Sequence, residues 1–386
     1  MQLTHIFTKF SRFVLIGLMM FLFILLQGCN NKFDNTPAIT SNNSEQSFED
    51  ISNTLLDKAQ LKRDWAYKLP IPAREEVERI FLYQEALYVL LTNNTLLSIN
   101  PETGSFNWAS DIAQEHLKAS QGYYYKNTLN FIFGKMFTQV DTDSGQVLDS
   151  SFELKFKVST PPAVTANTLF VGSSDCKLYA LRLNEPKNNG LTKWWNVCKK
   201  MPIGKISATE ENVYFTTENN TLWASKTEKR KRLFSKKSFS SLNGVTVVGD
   251  QCFMPGESSI LYCFDAITGE KQWLHRCGEI LDTQPIIINS EVYQEVSHNS
   301  LLCLNRTTGE KIWELHKGKA LLSLTDKSAY AITLDKNITK LNRKTGENEI
   351  TFFIDNIDFY TTNANTSTIF LASRNGNIIA LSPTQN

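Results

Sequence analysis

Short apolar segments recur along the chain, and each ends at a polar residue that a turn follows. In the three clearest copies a polar residue, two further residues, Thr-Gly, three residues and a Trp follow in order, in Asn100–Trp108, Asp265–Trp273 and Asn305–Trp313. Gly accepts the positive φ that a tight turn between strands requires, so the Thr-Gly step indicates a turn, and the Trp begins the returning strand. A fixed period of this kind is typical of repeat architectures.

Eight copies of the apolar segment are found, and their last residues lie 37 to 44 positions apart. The copies are Leu96–Asn100, Phe137–Asp141, Leu178–Arg182, Leu222–Lys226, Leu261–Asp265, Leu301–Asn305, Ile338–Asn342 and Ile378–Ser382. About forty residues can hold four short strands with their turns, which is one propeller blade. Segments between the copies, such as Ala86–Leu91 and Glu291–Val296, are rich in β-branched and aromatic residues, which favour strands. The sequence predicts an all-β fold, an eight-bladed β-propeller of four-stranded antiparallel blades.

The last blade is expected to lack its fourth strand, because the eighth copy runs to Asn386 without a turn phrase or a Trp. A missing strand leaves an open sheet edge, which favours unwanted pairing. Upstream of the first repeat, Lys62–Leu69 carries Trp65 and resembles a fourth strand without a blade. We predict that this N-terminal strand pairs with the last blade and closes the ring. A ring of seven blades is the alternative if the degenerate copy at Asp141, with Ser-Gly and no Trp, is not a blade.

The repeated tryptophans are predicted to dock each blade on the next. A blade is a small sheet that cannot bury both faces alone, and one indole buries roughly 150–250 Å². The predicted blade-docking residues, in equivalent positions of the repeat, are Trp65, Trp108, Trp273, Trp313 and one of Trp194 and Trp195. An aromatic platform for sugars is the alternative, although stacking rings for a ligand need not recur in the same frame as a turn.

The N-terminus has the pattern of a secretory signal, with Lys9 and Arg12 before the apolar run Phe13–Leu26. The sequence Leu-Gln-Gly-Cys that ends at Cys29 resembles the lipobox of bacterial lipoproteins, which implies lipidation of Cys29, with palmitate among its acyl chains. We therefore expect a signal peptide over 1–28, a lipid-anchored flexible tether over 29–59 and the propeller over 60–386. An uncleaved membrane anchor is the alternative, but the run is shorter than the roughly 20 apolar residues that span a bilayer.

Charge and cysteines limit the function further. With 40 Lys and Arg against 39 Asp and Glu, the chain lacks the concentrated positive charge of a nucleic-acid binder. Six cysteines follow Cys29 in what is predicted to be an oxidising compartment, where disulfides persist. Cys176 and Cys198 would face each other across the third-blade hairpin and are the first disulfide candidates. Cys252 and Cys263, which flank another hairpin, come second.

The repeated phrase that ends in Trp resembles the tryptophan-docking motif of pyrroloquinoline-quinone-type propeller repeats over residues 60–386. Together with the lipobox and the eight repeats, it resembles the BamB family of propeller lipoproteins. The resemblance implies a non-enzymatic scaffold without a cofactor, anchored on the periplasmic face of the outer membrane. It also implies a monomer that binds the periplasmic domains of the β-barrel assembly protein BamA and aids the folding of nascent outer-membrane proteins.

A segment before the third blade matches the part of the BamB family that contacts the partner. The family has Leu-x-Leu-Arg-Gly-x-Ser-x-Pro there, and this chain has Leu154–Pro161. The resemblance implies partner-binding roles for Leu154, Phe156 and Lys157, which stand for the two leucines and the arginine. Lys is not equivalent to Arg in bidentate contacts. Ordinary packing between blades is the alternative, and no acidic pair near Pro202–Ala208 matches the one the family carries in a following loop.

Catalytic chemistry is not indicated by the sequence. The five histidines show no metal-ligand spacing, and neither a Gly-x-Ser-x-Gly motif nor an adjacent cysteine pair is present. We therefore predict no catalytic, metal or cofactor site, and a periplasmic or surface propeller that binds a ligand or acts as a sensor is the alternative function. The basic run Lys226–Lys237 can meet an acidic domain or lipid phosphate through its local field. A solvated turn is the simpler interpretation of that run.

Overall fold

The computed structural model describes residues 53–114, 117–185, 187–237, 243–256, 258–363 and 365–384. These residues belong to one compact unit, Ser44–Asn386. The predicted signal peptide, the lipidation site Cys29 and the tether up to residue 52 lie outside the described residues. Among the helices that are described, none is long and apolar enough to cross a membrane.

The described chain folds into eight antiparallel sheets of four strands each, which confirms the predicted eight-bladed propeller. Blade 1 consists of β2 (Val77–Tyr83), β3 (Ala86–Leu91), β4 (Thr95–Ile99) and β5 (Phe106–Asp111), and blade 2 of β6 (Tyr123–Tyr125), β7 (Thr128–Phe133), β8 (Met136–Asp141) and β9 (Phe152–Glu153). Blade 3 consists of β10 (Ala163–Thr165), β11 (Thr168–Ser173), β12 (Lys177–Arg182) and β13 (Thr192–Val197), and blade 4 of β14 (Pro202–Ala208), β15 (Asn212–Thr217), β16 (Thr221–Lys226) and β17 (Arg232–Lys237).

Blades 5 to 8 complete the ring. Blade 5 consists of β18 (Thr246–Val248), β19 (Gln251–Gly256), β20 (Ile260–Asp265) and β21 (Lys271–Arg276), and blade 6 of β22 (Ile286–Ile288), β23 (Glu291–Val296), β24 (Ser300–Asn305) and β25 (Lys311–His316). Blade 7 consists of β26 (Gly318–Leu324), β27 (Ser328–Thr333), β28 (Asn337–Asn342) and β29 (Asn348–Phe353), and blade 8 of β30 (Phe359–Thr361), β31 (Ile369–Ala372), β32 (Asn377–Pro383) and β1 (Leu61–Lys68).

The ring is closed by β1, as the sequence predicts. This N-terminal strand pairs antiparallel with β32, and Trp65 lies opposite Ala380. Before it, the helix α1 (Asn53–Lys58) occupies residues that the sequence assigned to the flexible tether. That assignment is wrong for this part, because Leu56 and Ala59 are buried against apolar side chains of blades 7 and 8. The phenol of Tyr330 also donates a hydrogen bond to the carbonyl of Ala59 at 3.0 Å.

Blade 2 is the irregular member of the ring, and it is a blade nonetheless. Its fourth strand, β9, has only two residues, which pair with Met136 and Phe137 of β8. The turn after Asp141 is followed by an isolated bridge between Val140 and Val147. The seven-blade alternative is therefore wrong, because the copy without Trp still forms its inner three strands.

Each blade is buried on both faces, and the apolar core consists of clusters between neighbouring blades. In blade 5, for example, Cys252 packs with Tyr214 of blade 4, whereas Cys263 packs with Val292 of blade 6. The register explains the separation, since Cys252 lies opposite Phe264 and Cys263 lies opposite Phe253. Adjacent positions of a strand point to opposite faces, so this geometry does not favour the second disulfide candidate.

The turn phrases fold as the sequence predicts, around the side chain of their first polar residue. The carboxylate of Asp265 accepts hydrogen bonds from the backbone N–H groups of Ile267 and Thr268 at 2.9 and 2.7 Å. Asn305 accepts the same pair from Thr307 and Thr308. Gly269 then takes a positive φ of 68°, and its N–H donates to the carbonyl of Asp265 at 2.9 Å. Asp and Asn serve here because their short side chains can bond to the backbone two and three residues ahead.

The Asp265 turn is expected to add a pH-dependent contribution to stability. The hydrogen bond from the Thr268 N–H holds the pKa of Asp265 below its ordinary value. A depressed pKa stabilises the fold above the unfolded value of about 3.9, and this contribution is lost as pH falls through the folded pKa. The neutral variant Asp265→Asn, which copies Asn305, should therefore be less stable than wild type at pH 6, and the difference should shrink as the pH falls below about 3.9. Urea midpoints measured across this range test the expectation, and a difference that does not change with pH would contradict it.

Candidate functional site

Indole rings join consecutive blades through one repeated hydrogen bond. In each case the Nε1–H donates to the carbonyl of the residue after the first polar residue of the next blade's turn. The pairs are Trp65 with Pro101, Trp108 with Thr142, Trp194 with Thr227, Trp273 with Arg306 and Trp313 with Arg343, at 2.8 to 3.0 Å. The blade-3 contribution comes from Trp194, which is buried, whereas Trp195 is 38% exposed.

A turn glycine lies directly beneath each of several rings. At Gly309, where φ is 72°, an added Cβ would stand 2.5 Å from the indole of Trp273. Gly346 has the same relation to Trp313. The glycine of the phrase therefore serves both the turn and the blade interface. Blade 4 has Phe234 in the place of the Trp, beneath which Gly269 lies. A search for Trp alone does not find this substitute. Its position could have identified it, because Phe234 lies two residues after the start of the outer strand that follows the basic turn.

The predicted partner-binding segment lies between β9 and β10, and its three residues differ in exposure. Leu154 is only 2% exposed and packs with Ile132, Val164 and Leu169 between blades 2 and 3. Its side chain therefore has no surface to offer a partner, and the packing interpretation holds for Leu154. Phe156 is half-buried and Lys157 is exposed, so these two residues lie where a partner can reach them.

Phe156 is the first of three neighbouring aromatic side chains on blade 3, with Tyr179 and Trp195. Its ring stacks on Tyr179 with centroids 4.0 Å apart and planes at 14°. Tyr179 lies opposite Trp195 in the strand pair β12–β13. The carbonyl of Lys157 accepts hydrogen bonds from the N–H of Ser174 and the hydroxyl of Ser173, which hold the segment against the β11–β12 turn. The segment is thus fixed to blade 3 and presents its aromatic side chain as part of a larger surface.

Two cations approach the exposed indole of this row. The Nζ of Lys177 lies 5.4 Å from the centroid of Trp195 and 5.7 Å from that of Tyr179. The guanidinium carbon of Arg230, from the blade-4 turn, lies 5.0 Å from the centroid of Trp195. We call Phe156, Lys157, Lys177, Tyr179, Trp195 and Arg230 the blade 3–4 surface. It joins the predicted partner segment to the basic run, two features that the sequence analysis treated separately.

The first disulfide candidates are neighbours, and both thiols are free in the structure. The N–H of Cys198 donates to the carbonyl of Cys176 at 2.8 Å, so the two residues do face each other across the blade-3 hairpin. Burial raises the pKa of the Cys198 thiol to about 12. The pairing of Cys176 with Cys198 stays a prediction.

Burial sets the titration of several cysteine thiols in the described chain. Burial raises the pKa values of Cys263, Cys277 and Cys303 to about 12 each. A nucleophilic thiol needs the opposite shift. In the part of the chain that the structure describes, no group of three or more His, Cys, Asp or Glu side chains is placed to hold a metal ion. His275 bonds through Nδ1 to the carbonyl of Gly309 at 2.8 Å and so belongs to a blade junction.

An open groove of ≈1730 Å³ lies among the inter-strand turns of blades 6 to 8. Its lining mixes cations such as Lys327 and Lys344 with acids such as Asp326 and Glu349. Arg343, which also lines it, is paired with Glu291 at 2.9 Å. The groove is therefore lined by both signs of charge.

Comparisons with known proteins agree on one family. The family model described as outer membrane protein assembly factor BamB matches residues 134–351. The outer membrane protein assembly factor BamB of Yersinia pestis is 30% identical over 106 residues, which are 27% of this chain and 27% of that protein. The match thus spans about a quarter of the length of this curated relative.

Solved structures share the fold. The crystal structure of BamB from Moraxella catarrhalis superposes with a TM-score of 0.63 at 14% identity, over 83% of this chain and 99% of that chain. The computationally designed Ika8 protein gives 0.64 at 11% identity, over 81% and 98%. At such identities the likeness concerns the fold alone. The family model, in contrast, matches more than half of the sequence, and the chain belongs to the family of outer membrane protein assembly factor BamB.

Proposed function

We propose that the chain is a non-enzymatic scaffold lipoprotein of the β-barrel assembly machinery. In this role it binds the central barrel-insertion protein, BamA, and aids the folding and insertion of outer-membrane proteins. The observation that carries the proposal is the BamB family match over residues 134–351, which runs from blade 2 into blade 7. The names of the relatives from Yersinia pestis and Moraxella catarrhalis agree with such a role. The match does not favour the ligand-binding or sensor alternative.

We place the contact with BamA on the exposed part of the segment that precedes blade 3. Phe156 and Lys157 are accessible, and their backbone is held by Ser173 and Ser174. A contact residue fixed in this way loses little conformational entropy on binding. Leu154 supports the segment from below and does not itself contact the partner.

We further propose that residues 1–28 are removed and that Cys29 carries the lipid anchor on the periplasmic face of the outer membrane. A chain anchored in this way reaches its partner from the membrane surface. The lipobox ending at Cys29 supports this placement.

The test is capture of the tagged full-length chain from membranes solubilised in mild detergent, with mass spectrometry of what co-purifies. BamA should be recovered with wild type. The double variant Phe156→Glu, Lys157→Glu should recover at least about fivefold less, because loss of a central aromatic anchor typically costs about 1 kcal/mol or more. The chain with Cys29→Ala should leave the membrane fraction.

The matched control is the double variant Phe353→Glu, Lys327→Glu on blade 7, where Phe353 is 58% exposed. Recovery of BamA with the control but not with the Phe156 variant supports both the role and the site. Equal recovery with both variants keeps the role and moves the contact elsewhere. If BamA is absent even with wild type, the proposed function is wrong, and a membrane fraction unchanged by Cys29→Ala would refute the anchor.

A further inference from the structure

We infer that the blade 3–4 surface is a docking surface for an acidic segment of a protein partner. The inference rests on the proposed function, in which the partner is a protein of the assembly machinery. It adds the chemistry of the recognised segment and assigns roles to Trp195, Lys177 and Arg230, which the resemblance to the BamB family did not provide.

The aromatic part of the surface is continuous. Phe156 stacks on Tyr179, and Tyr179 lies opposite Trp195 on neighbouring strands. Trp195 is 38% exposed, because its neighbour Trp194 already fills the blade interface and side chains alternate along a strand. An exposed indole beside a buried one thus gives an amphipathic contact at low conformational cost, a property that favours Trp and Tyr at protein interfaces.

The charges of this surface are predominantly positive. Residues 226–237 contain seven Lys and Arg and one acid, Glu228, and Glu228 is paired with Lys193 at 2.6 Å. Asp175 is likewise occupied, since it accepts hydrogen bonds from Lys177 and from the Tyr179 hydroxyl, both at 2.7 Å. Among the described residues, no carboxylate lies within ion-pair distance of Arg230. The positive charge of Arg230 is therefore not neutralised from within the described chain, whereas Lys226 of the same run is paired with Glu211 at 3.4 Å.

Two cations on one indole are the specific feature. Lys177 and Arg230 both lie within 5.4 Å of the Trp195 centroid. Lys177 is also paired with Asp175 at 2.7 Å, so Arg230 is the cation on this ring that is left for an anion from a partner. A partner's carboxylate that pairs with Arg230 would bring its neighbouring side chains into contact with the rings. Arg230 therefore does not behave as part of a freely solvated turn, because the ring holds its guanidinium in place.

A protein segment fits these features better than a membrane does. A surface that inserts into lipid presents apolar side chains outwards. Here Phe156 and Tyr179 stack on each other, and cations lie over Tyr179 and Trp195. Discrete carboxylates on an extended chain can pair with separate cations such as Arg230. Because the attraction is between exposed charges, binding should weaken as salt rises.

The probe for the test is a fluorescent ten-residue peptide of alternating Glu and Val, titrated with the full-length chain in mild detergent. A Lys–Val peptide and vesicles of phosphatidylglycerol serve as comparisons. Arg230→Glu should weaken binding of the acidic peptide by roughly two- to thirtyfold, because it removes one attraction and adds a repulsion of similar size. Trp195→Ala should also weaken it. The matched control, Lys271→Glu on β21 of blade 5, makes the same charge change at an exposed site away from the surface and should have no effect.

The outcomes separate this inference from the proposed function. Weaker binding of the acidic peptide by Arg230→Glu alone supports the inference, even if BamA is not captured. Equal effects of Arg230→Glu and Lys271→Glu, equal binding of both peptides, or binding of vesicles without the acidic peptide would each overturn it. If BamA is captured equally by wild type and Arg230→Glu, the surface is not its docking site, and the function stands without the inference.

Discussion

Replacing Trp273 with alanine is expected to lower the free energy of unfolding by about 3–5 kcal/mol, the range for deleting a buried aromatic side chain. Trp273 is 8% exposed and packs at 5.9 Å from Phe253. Its Nε1–H donates to the carbonyl of Arg306, and Gly309 lies against its ring. The substitution thus leaves a cavity between blades 5 and 6 and a carbonyl without its donor. Denaturant unfolding of the purified full-length chain measures the loss.

The control for this prediction is Trp195→Ala in the same protein. Trp195 lies partly in solvent and its contact with blade 4 is the exposed cation–π contact with Arg230, so its loss should change the unfolding free energy by under about 1 kcal/mol. Trp273→Phe should fall between the two, because it keeps an aromatic ring and loses the hydrogen bond. Equal effects of Trp273→Ala and Trp195→Ala would show that the indoles do not hold the blades together.

Replacing Leu154 with alanine is expected to cost about 2–5 kcal/mol of stability, the range for truncating a buried leucine. The side chain fills the junction of blades 2 and 3 beside Val164 and Leu169. Blade 2 is least able to compensate, because its outer strand has only two residues. Thermal and denaturant midpoints of the full-length chain measure the effect, and capture of BamA at low temperature, where the variant is still folded, should be close to that of wild type.

Lys155→Ala serves as the control for Leu154, because Lys155 is exposed in the same segment and its loss should leave stability within about 0.5 kcal/mol. Phe156→Ala should have the complementary behaviour, with a smaller loss of stability and a clear loss of partner capture. A Leu154→Ala variant with unchanged midpoints and no partner capture would return Leu154 to the contact surface.

The blade count and the ring closure could be predicted because both are written in local sequence. The turn phrase needs a particular residue at each place, an Asx side chain that bonds to the backbone and a Gly at positive φ. These residues recur in the turn phrases, and they can be recognised in the sequence without knowledge of the neighbouring blades. The tether boundary could not be read in the same way, since Asn53–Lys58 is short and polar except for its leucines. Its helix is stabilised by the pocket that blades 7 and 8 provide for Leu56.

The candidate site was only half predictable. The segment Leu154–Pro161 contributes Phe156 and Lys157 to the blade 3–4 surface, but a sequence match at Leu154, Phe156 and Lys157 cannot tell which of these side chains faces the core. The adjacent Trp194 and Trp195 carried an unused signal, because two neighbours on a strand cannot both dock against the same blade. The two indoles therefore had to point to opposite faces of the sheet, and the structure shows that Trp195, at the centre of the blade 3–4 surface, is the exposed one.

The sequence by itself determined the fold, the number of blades and the strand that closes the ring, because these depend on turns and alternation within about ten residues. Only the tertiary structure decided that Leu154 is buried and that Phe156, Tyr179, Trp195 and Arg230 form one surface. Phe156 lies in the segment before blade 3, Tyr179 and Trp195 lie in blade 3, and Arg230 lies in the turn of blade 4. The distance between these residues is set by the stacking of whole sheets. A contact across blades leaves no period in the sequence, so it becomes visible only once the ring is assembled.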